Sequence, residues 1–246
     1  MKACLVADVG GLPMIDDAVK HSAIVTLACS VRQRLDNKRR KLSEYLKPEV
    51  ARSCYLEASV QPVTELESID PSDDEMRVIQ DSCAHIVAVV PQWKVHFALP
   101  LRWRRLVNDL SSSSNPVIPQ HIYLGERGIR GSRLAEYIVH EVSHTWVGMI
   151  AEVAPLALPG ERIHVLPSGT SDKEIRQVVY ALTFAATAVR FYRERMRRGL
   201  QHPLDAERLQ YLERYTAGCL DIVQPSELLL PNGRLMAESC RRLLYS

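Results

Sequence analysis

One segment organises this sequence, residues 134–153, which read LAEYIVHEVSHTWVGMIAEV. Its apolar residues recur at helical spacing, so that Leu134, Ile138 and Val142 fall on one face. Pro155 follows the segment and stops the helix, because proline has no amide hydrogen to donate. We therefore expect one helix over these residues, with an apolar face against a core.

The rest of the chain predicts an α+β fold that is mainly α, in which a small β-sheet lies next to the 134–153 helix. Helical periodicity recurs along most of the sequence, and short β-branched runs predict the strands. We expect an N-terminal helical region over 1–75 and a metal-binding domain over 76–246, or one continuous domain. Helices are predicted at 15–35, 42–56, 171–198, 204–223 and 235–244, strands at 84–90, 95–99 and 121–124, and loops at 62–75 and 111–116.

Composition sets limits on the partners and the compartment. The 246 residues carry a formal net charge of +2, so charge alone favours neither nucleic acid nor a membrane as a partner. The longest uncharged stretch, 178–189, is shorter than a bilayer span, and residues 1–14 lack the pattern of a signal peptide. Six cysteines without a C-x-x-C pair indicate buried free thiols. We expect a cytoplasmic protein.

The predicted helix carries a His-Glu-x-x-His motif, formed by His140, Glu141 and His144. Residues four apart lie one turn above each other on a helix, so both imidazoles can reach one divalent metal ion. Glu141 points to a neighbouring face, where it can polarise a metal-bound water or act as a general base. The motif therefore predicts a metal centre with a catalytic carboxylate.

The third protein ligand stays open, because catalytic metals usually take three. A metzincin would have glycine and histidine where this chain has Val147 and Ile150, so that class is excluded. A glutamate from further along the chain or a histidine from a loop or strand can complete the site. The candidates are Glu152, Glu161, Glu174, His121 and His164. Of these, we include His164 with His140 and His144 in the predicted set of metal ligands.

The stretch from Ser111 to Tyr192 resembles a known family. The likeness covers about a third of the chain and is carried by a serine-rich break, the strand 117–125, the segment LAEYIVHEVSH at 134–144, a Leu-Pro-Ser loop and the helix around FAATAVRFY at 184–192. These features are similar to the HExxH-motif peptide-modification proteins, the 2-oxoglutarate-dependent peptide β-hydroxylases. Such proteins are encoded with ribosomally made precursor peptides.

The resemblance implies an Fe(II) centre at His140 and His144 that uses 2-oxoglutarate and oxygen to hydroxylate a β-carbon of a precursor-peptide side chain. Arg176 and Arg190 are then the candidates to pair with the distal carboxylate of 2-oxoglutarate. Family members carry a further histidine or glutamine early in the downstream helix, where this chain offers Gln177 or Tyr180. The interpretation leaves room for a partner protein or a homodimer.

Two other functions remain as alternatives, because imidazole ligands suit zinc and iron alike. One is a zinc metallopeptidase with Glu141 as general base, and the other is a non-catalytic peptide-binding partner. A mixed aromatic and basic segment around Trp103, with Arg102, Arg104 and Arg105, suits a peptide or an RNA strand, but we interpret it as one face of an amphipathic helix.

Overall fold

The structure is a computed structural model that describes residues 4–36, 38–58, 66–108, 110–113 and 118–246. The fold is α+β and mainly α, as the sequence predicts, with a small four-stranded mixed sheet. The α-helices are α1 Leu5–Asp8, α2 His21–Leu35, α3 Pro48–Ala58, α4 Asp73–Val89, α5 Lys94–Phe97, α6 Glu126–Ile129, α7 Leu134–Val153, α8 Ile175–Arg197, α9 Asp205–Val223 and α10 Pro231–Tyr245. The strands are β1 Ser68–Ile69, β2 Arg102–Leu106, β3 Ser112–Ser113 and β4 His121–Gly125, and short 3-10 helices cover Leu42–Leu46 and Pro91–Trp93.

The chain forms two compact units that differ from the division expected from sequence. One unit comprises His21–Glu152, and the other combines Met1–Lys20 with Val153–Ser246. The boundary expected between residues 75 and 76 falls inside α4, within the first of these units. The sheet and nearly all of α7 therefore belong to the same unit, 21–152.

The sheet has the strand order β1-β2-β4-β3. Its central pair, β2 and β4, is parallel, with Arg102 opposite His121 and Arg104 opposite Tyr123. Gly125 ends β4, and a Cβ at this position would lie 1.7 Å from the carbonyl oxygen of Leu110, so glycine is required for the close approach of the backbone at Leu110. The predicted strand 121–124 is confirmed, while residues 114–117 of the serine-rich break and of the longer strand 117–125 lie outside the described residues.

Two predicted strands are wrong, and both runs are helical. Residues 84–89 of the first run belong to α4, and Val90 caps its end. This helix begins at a capping box in which the amide of Glu75 donates to Ser72 and the amide of Ser72 donates to Glu75. Once begun, this helix buries Ile79 and Ile86 seven residues apart, and the β-branched run continues the same face. Residues 95–97 of the other run belong to α5, which follows a proline-led 3-10 turn.

Two other corrections concern elements bounded by proline or by an unusual backbone conformation. The helix expected at 42–56 is divided at Pro48, which begins α3 because its missing amide hydrogen is tolerated there. The helix expected at 15–35 begins only at His21, after Met14 takes a positive φ of 65°.

The segment around Trp103 is strand β2 rather than an amphipathic helix. Within the loop expected at 62–75, residues 62–65 lie outside the described residues.

The second unit is built on three long helices. Helix α8 packs against α9 and α10, and α9 also packs against α10, so the sequence predictions for these three helices are confirmed. Helix α8 begins at Ile175 rather than at the expected Ser171, because Glu174 supplies the cap and its amide donates to Gln177 Oε1 at 3.0 Å. The predicted loop before it includes Asp172 with a positive φ of 58°.

All six cysteines are free, and four of them are buried, as the sequence predicts. Burial raises the pKa of Cys83 and of Cys219 to about 12, so both are protonated thiols near pH 7.

Among the described residues, no helix is both long enough and apolar enough to cross a bilayer.

Candidate metal centre

Helix α7 forms where the sequence predicts it and carries the motif on a largely buried surface. Apolar residues on several turns are fully buried, among them Ile138, Val142 and Met149. Two glutamates of the same helix, Glu136 and Glu141, are also buried, with 2% and 1% of their surfaces exposed. A helix of this kind holds polar side chains inside the unit 21–152, where water is scarce.

The structure brings His140, Glu141 and His144 together. One ligand atom from each residue lies within 4.8 Å of the others, a spacing from which small side-chain movements close around one ion. The two imidazole rings have centroids 4.3 Å apart and planes at 85°, and the Nδ1 atom of His144 is 3.9 Å from Oε2 of Glu141. In the part of the chain that the structure describes, this is the group with metal-binding geometry.

The electrostatics of the group suit a cation. Burial lowers the pKa of His140 well below its usual value, and the neighbouring His144 lowers it further. The neutral imidazole that this produces is the form that binds metal. The carboxylate of Glu141 is almost fully buried, and a bound cation would stabilise its negative charge.

Two candidate third ligands within the unit 21–152 have other roles. Both oxygens of Glu152 accept hydrogen bonds from Arg32, at 2.7 and 2.8 Å, and Tyr55 donates to the same carboxylate at 3.0 Å. His121 lies in β4, where its Nδ1 is 2.9 Å from the carbonyl oxygen of Pro119. Neither residue joins the α7 group, so their candidacy as metal ligands is wrong.

The remaining candidates lie in the other unit and stay predictions. His164 is half-buried, and its backbone forms an antiparallel bridge with Lys173. Glu161 is exposed, Glu174 and Gln177 form the capping box of α8, and Tyr180 is half-buried one turn further along.

The two arginines proposed for 2-oxoglutarate differ in their surroundings. Arg176 is exposed on the first turn of α8. Arg190 donates to Asp17 at 2.6 Å and to the carbonyl oxygens of Ile15 and Met14 at 2.6 and 3.3 Å. These bonds tie α8 to the segment before α2 and favour a structural role for Arg190.

Sequence reasoning missed several polar residues near the motif. Glu136 is buried one turn before His140, and the spacing of four between them is the signal that could have identified it. A second histidine pair, His21 and His96, has its two Nε2 atoms 2.8 Å apart and packs edge-on against Trp146 of α7. No sequence pattern joins these three residues, which are at least fifty positions apart.

No family model matches this chain, and no curated protein matches its sequence. The candidate centre therefore depends on the geometry of α7.

Proposed function

We propose that this chain is an Fe(II)- and 2-oxoglutarate-dependent hydroxylase that modifies the β-carbon of a side chain in a ribosomally made precursor peptide. The observation that supports it is the donor set of α7, in which two imidazoles and one carboxylate lie within 4.8 Å of one another. Two histidines and a carboxylate, with the other positions open, are the ligands of many non-haem Fe(II) oxygenases. The peptide substrate rests on the resemblance of residues 111–192.

When bound, iron and 2-oxoglutarate supply the oxidising chemistry, in which dioxygen and 2-oxoglutarate are consumed, a C–H bond becomes C–OH, and succinate and carbon dioxide leave. The residues of the chain would hold the iron and orient the groups bound to it. His140 and His144 offer imidazole nitrogens from successive turns, so the helix backbone fixes their separation. Glu141 is 1% exposed and brings a carboxylate to the same place, either as the third ligand or beside a bound water.

Anaerobic reconstitution with Fe(II) tests this proposal. Addition of 2-oxoglutarate to the iron-loaded protein should produce a visible charge-transfer band, and admission of oxygen should yield succinate. His140→Ala should lose both signals. His85→Ala is the matched control, because His85 is an exposed helical histidine of the same unit. An iron-loaded protein that gives neither a band nor succinate contradicts the proposal.

The position of Glu141 also supports a second candidate, a zinc metallopeptidase. Its carboxylate, 3.9 Å from Nδ1 of His144, is close enough to the ligand atoms to take a proton from a metal-bound water. Zinc-dependent cleavage of a peptide that is lost in Glu141→Gln, with zinc still bound, would favour this function over hydroxylation. A protein that binds no metal above trace amounts would leave a non-catalytic peptide-binding partner.

A further inference from the structure

A polar cavity of about 290 Å³ opens on one face of the small sheet, within the unit 21–152. Three arginines and one histidine line it, together with a glutamate and a tyrosine: Arg52, Arg102, Arg104, His121, Glu49 and Tyr123. None of these residues belongs to the metal group of α7. A volume of this size is enough for a small molecule.

The register of the parallel strands brings the basic side chains to the same face. Arg102 is opposite His121, and Arg104 is opposite Tyr123. Side chains alternate between the two faces of a strand, so these four lie on one face and Arg105 on the other. Arg105 is accordingly near Glu75 and Glu126, at 3.6 and 3.7 Å. The cluster is therefore fixed by backbone pairing.

Two exposed carboxylates contact the guanidinium groups of Arg102 and Arg104. Asp70 accepts a hydrogen bond from Arg102 at 2.6 Å and another from Arg104, while Oε1 of Glu49 is 3.6 Å from Nε of Arg102. Both acidic side chains are largely exposed, at 64% and 61%, so these ion pairs are solvated and weak. Arg52, from α3, adds a third guanidinium group to the lining of the same cavity.

His121 adds a group that responds to a bound anion. Its Nδ1 must donate to the carbonyl oxygen of Pro119, so in the neutral ring Nε2 carries no proton. This Nε2 lies 3.7 Å from Oε1 of Glu49, beside the cavity. Protonation of Nε2 would supply one more donor to a ligand with negative charge.

We propose that this cavity binds a small tetrahedral dianion, either free phosphate or the phosphate group of a small organic ester. Arg52 comes from α3 and Arg102 and Arg104 from β2, so their forked donors approach the ligand from different elements. A phosphate group has enough oxygens to accept bonds from all three, whereas a planar carboxylate pairs with one fork. Asp70 is a positioning residue that holds two of the forks.

Equilibrium dialysis with radiolabelled inorganic phosphate, at neutral pH and constant ionic strength, tests the proposal. The wild-type protein should bind one equivalent, and Arg102→Gln should weaken binding by about tenfold, since one charge-assisted contact is lost. Arg105→Gln is the matched control, because the side chain of Arg105 projects from the opposite face of the same strand, β2. No saturable binding, or equal losses in the two variants, would overturn the proposal.

A variant that should bind phosphate more tightly distinguishes a specific effect on the cavity from simple misfolding. Glu49→Gln removes a negative charge from the cavity and should tighten phosphate binding severalfold. Weaker binding by this variant would contradict the proposal. Phenyl phosphate separates the two sources of the ligand: binding as tight as that of inorganic phosphate supports an organic ester, and exclusion supports the free ion. Displacement of phosphate by an equal concentration of succinate would overturn the preference for a tetrahedral anion.

Discussion

Both oxygens of the Glu152 carboxylate accept hydrogen bonds from the guanidinium group of Arg32. Nε of Arg32 donates to Oε2 at 2.7 Å, and Nη2 donates to Oε1 at 2.8 Å. The side chain of Arg32 is fully buried and that of Glu152 is 8% exposed. Because Arg32 belongs to α2 and Glu152 to the last turn of α7, the pair fixes the helix that carries His140, Glu141 and His144.

Removal of the arginine should destabilise the unit 21–152 strongly. In Arg32→Met the carboxylate of Glu152 stays buried without its partner, which costs about 3–5 kcal/mol in comparable pairs. Urea unfolding measures this loss. Arg34→Met replaces an exposed arginine of the same helix and should change the free energy of unfolding by less than about 0.5 kcal/mol. Equal effects of the two substitutions would contradict the role assigned to the pair.

Glu141→Gln should distinguish a ligand from a base. If the carboxylate binds iron, its replacement by a neutral amide should raise the Kd for Fe(II) by at least about tenfold. Competition with a coloured chelator under anaerobic conditions measures this change. An unchanged affinity would place Glu141 beside the metal rather than on it.

The two arginine candidates should respond differently to substitution. Arg176→Gln should leave stability unchanged, because Arg176 is exposed on the first turn of α8. Arg190→Gln should lower stability, because it loses its bonds to Asp17 and to the Ile15 carbonyl. Thermal unfolding of the two variants measures both effects. Equal losses of stability in the two variants would contradict the structural role of Arg190.

The stability of the unit 21–152 should fall as the pH falls below about 6.5, the usual pKa of histidine. Burial lowers the pKa of His121, against the opposing effects of the Pro119 carbonyl and Glu49, and the charges of Arg52 and Arg102 lower it further. The unfolded chain therefore takes up this proton first, so stability is fully present above pH 6.5 and declines until the folded-state pKa is passed.

Urea unfolding across this pH range, with His121→Gln as the comparison, measures the contribution of His121. The variant should show a smaller loss of stability on acidification than the wild-type protein. Identical pH profiles would show that His121 does not contribute.

The sequence predicts α7 and the proximity of His140, Glu141 and His144 well because both depend on local spacing. Periodic apolar residues define the helix, and a separation of four residues sets the distance between His140 and His144. The same locality explains why α8, α9 and α10 were also predicted. Strand β4 was identified because it is short, apolar and bounded by turn residues.

The errors arise where distant residues decide the structure. The run 84–90 has the composition of a strand, but a capping box twelve residues earlier begins a helix that continues through it. Glu152, a candidate ligand from sequence, pairs with Arg32, which lies 120 residues away in the sequence and which no local pattern indicates. The cavity on the sheet depends on the register of β2 with β4, which a single sequence does not reveal.

Metal stoichiometry tests the central claim most directly. Elemental analysis of protein purified from cells supplied with both iron and zinc should find one divalent ion per chain, and none in the double variant His140→Ala/His144→Ala. His85→Ala should retain the ion, because this exposed histidine lies outside the group. A double variant that folds and still holds a full equivalent of metal would contradict the assignment of the centre to α7.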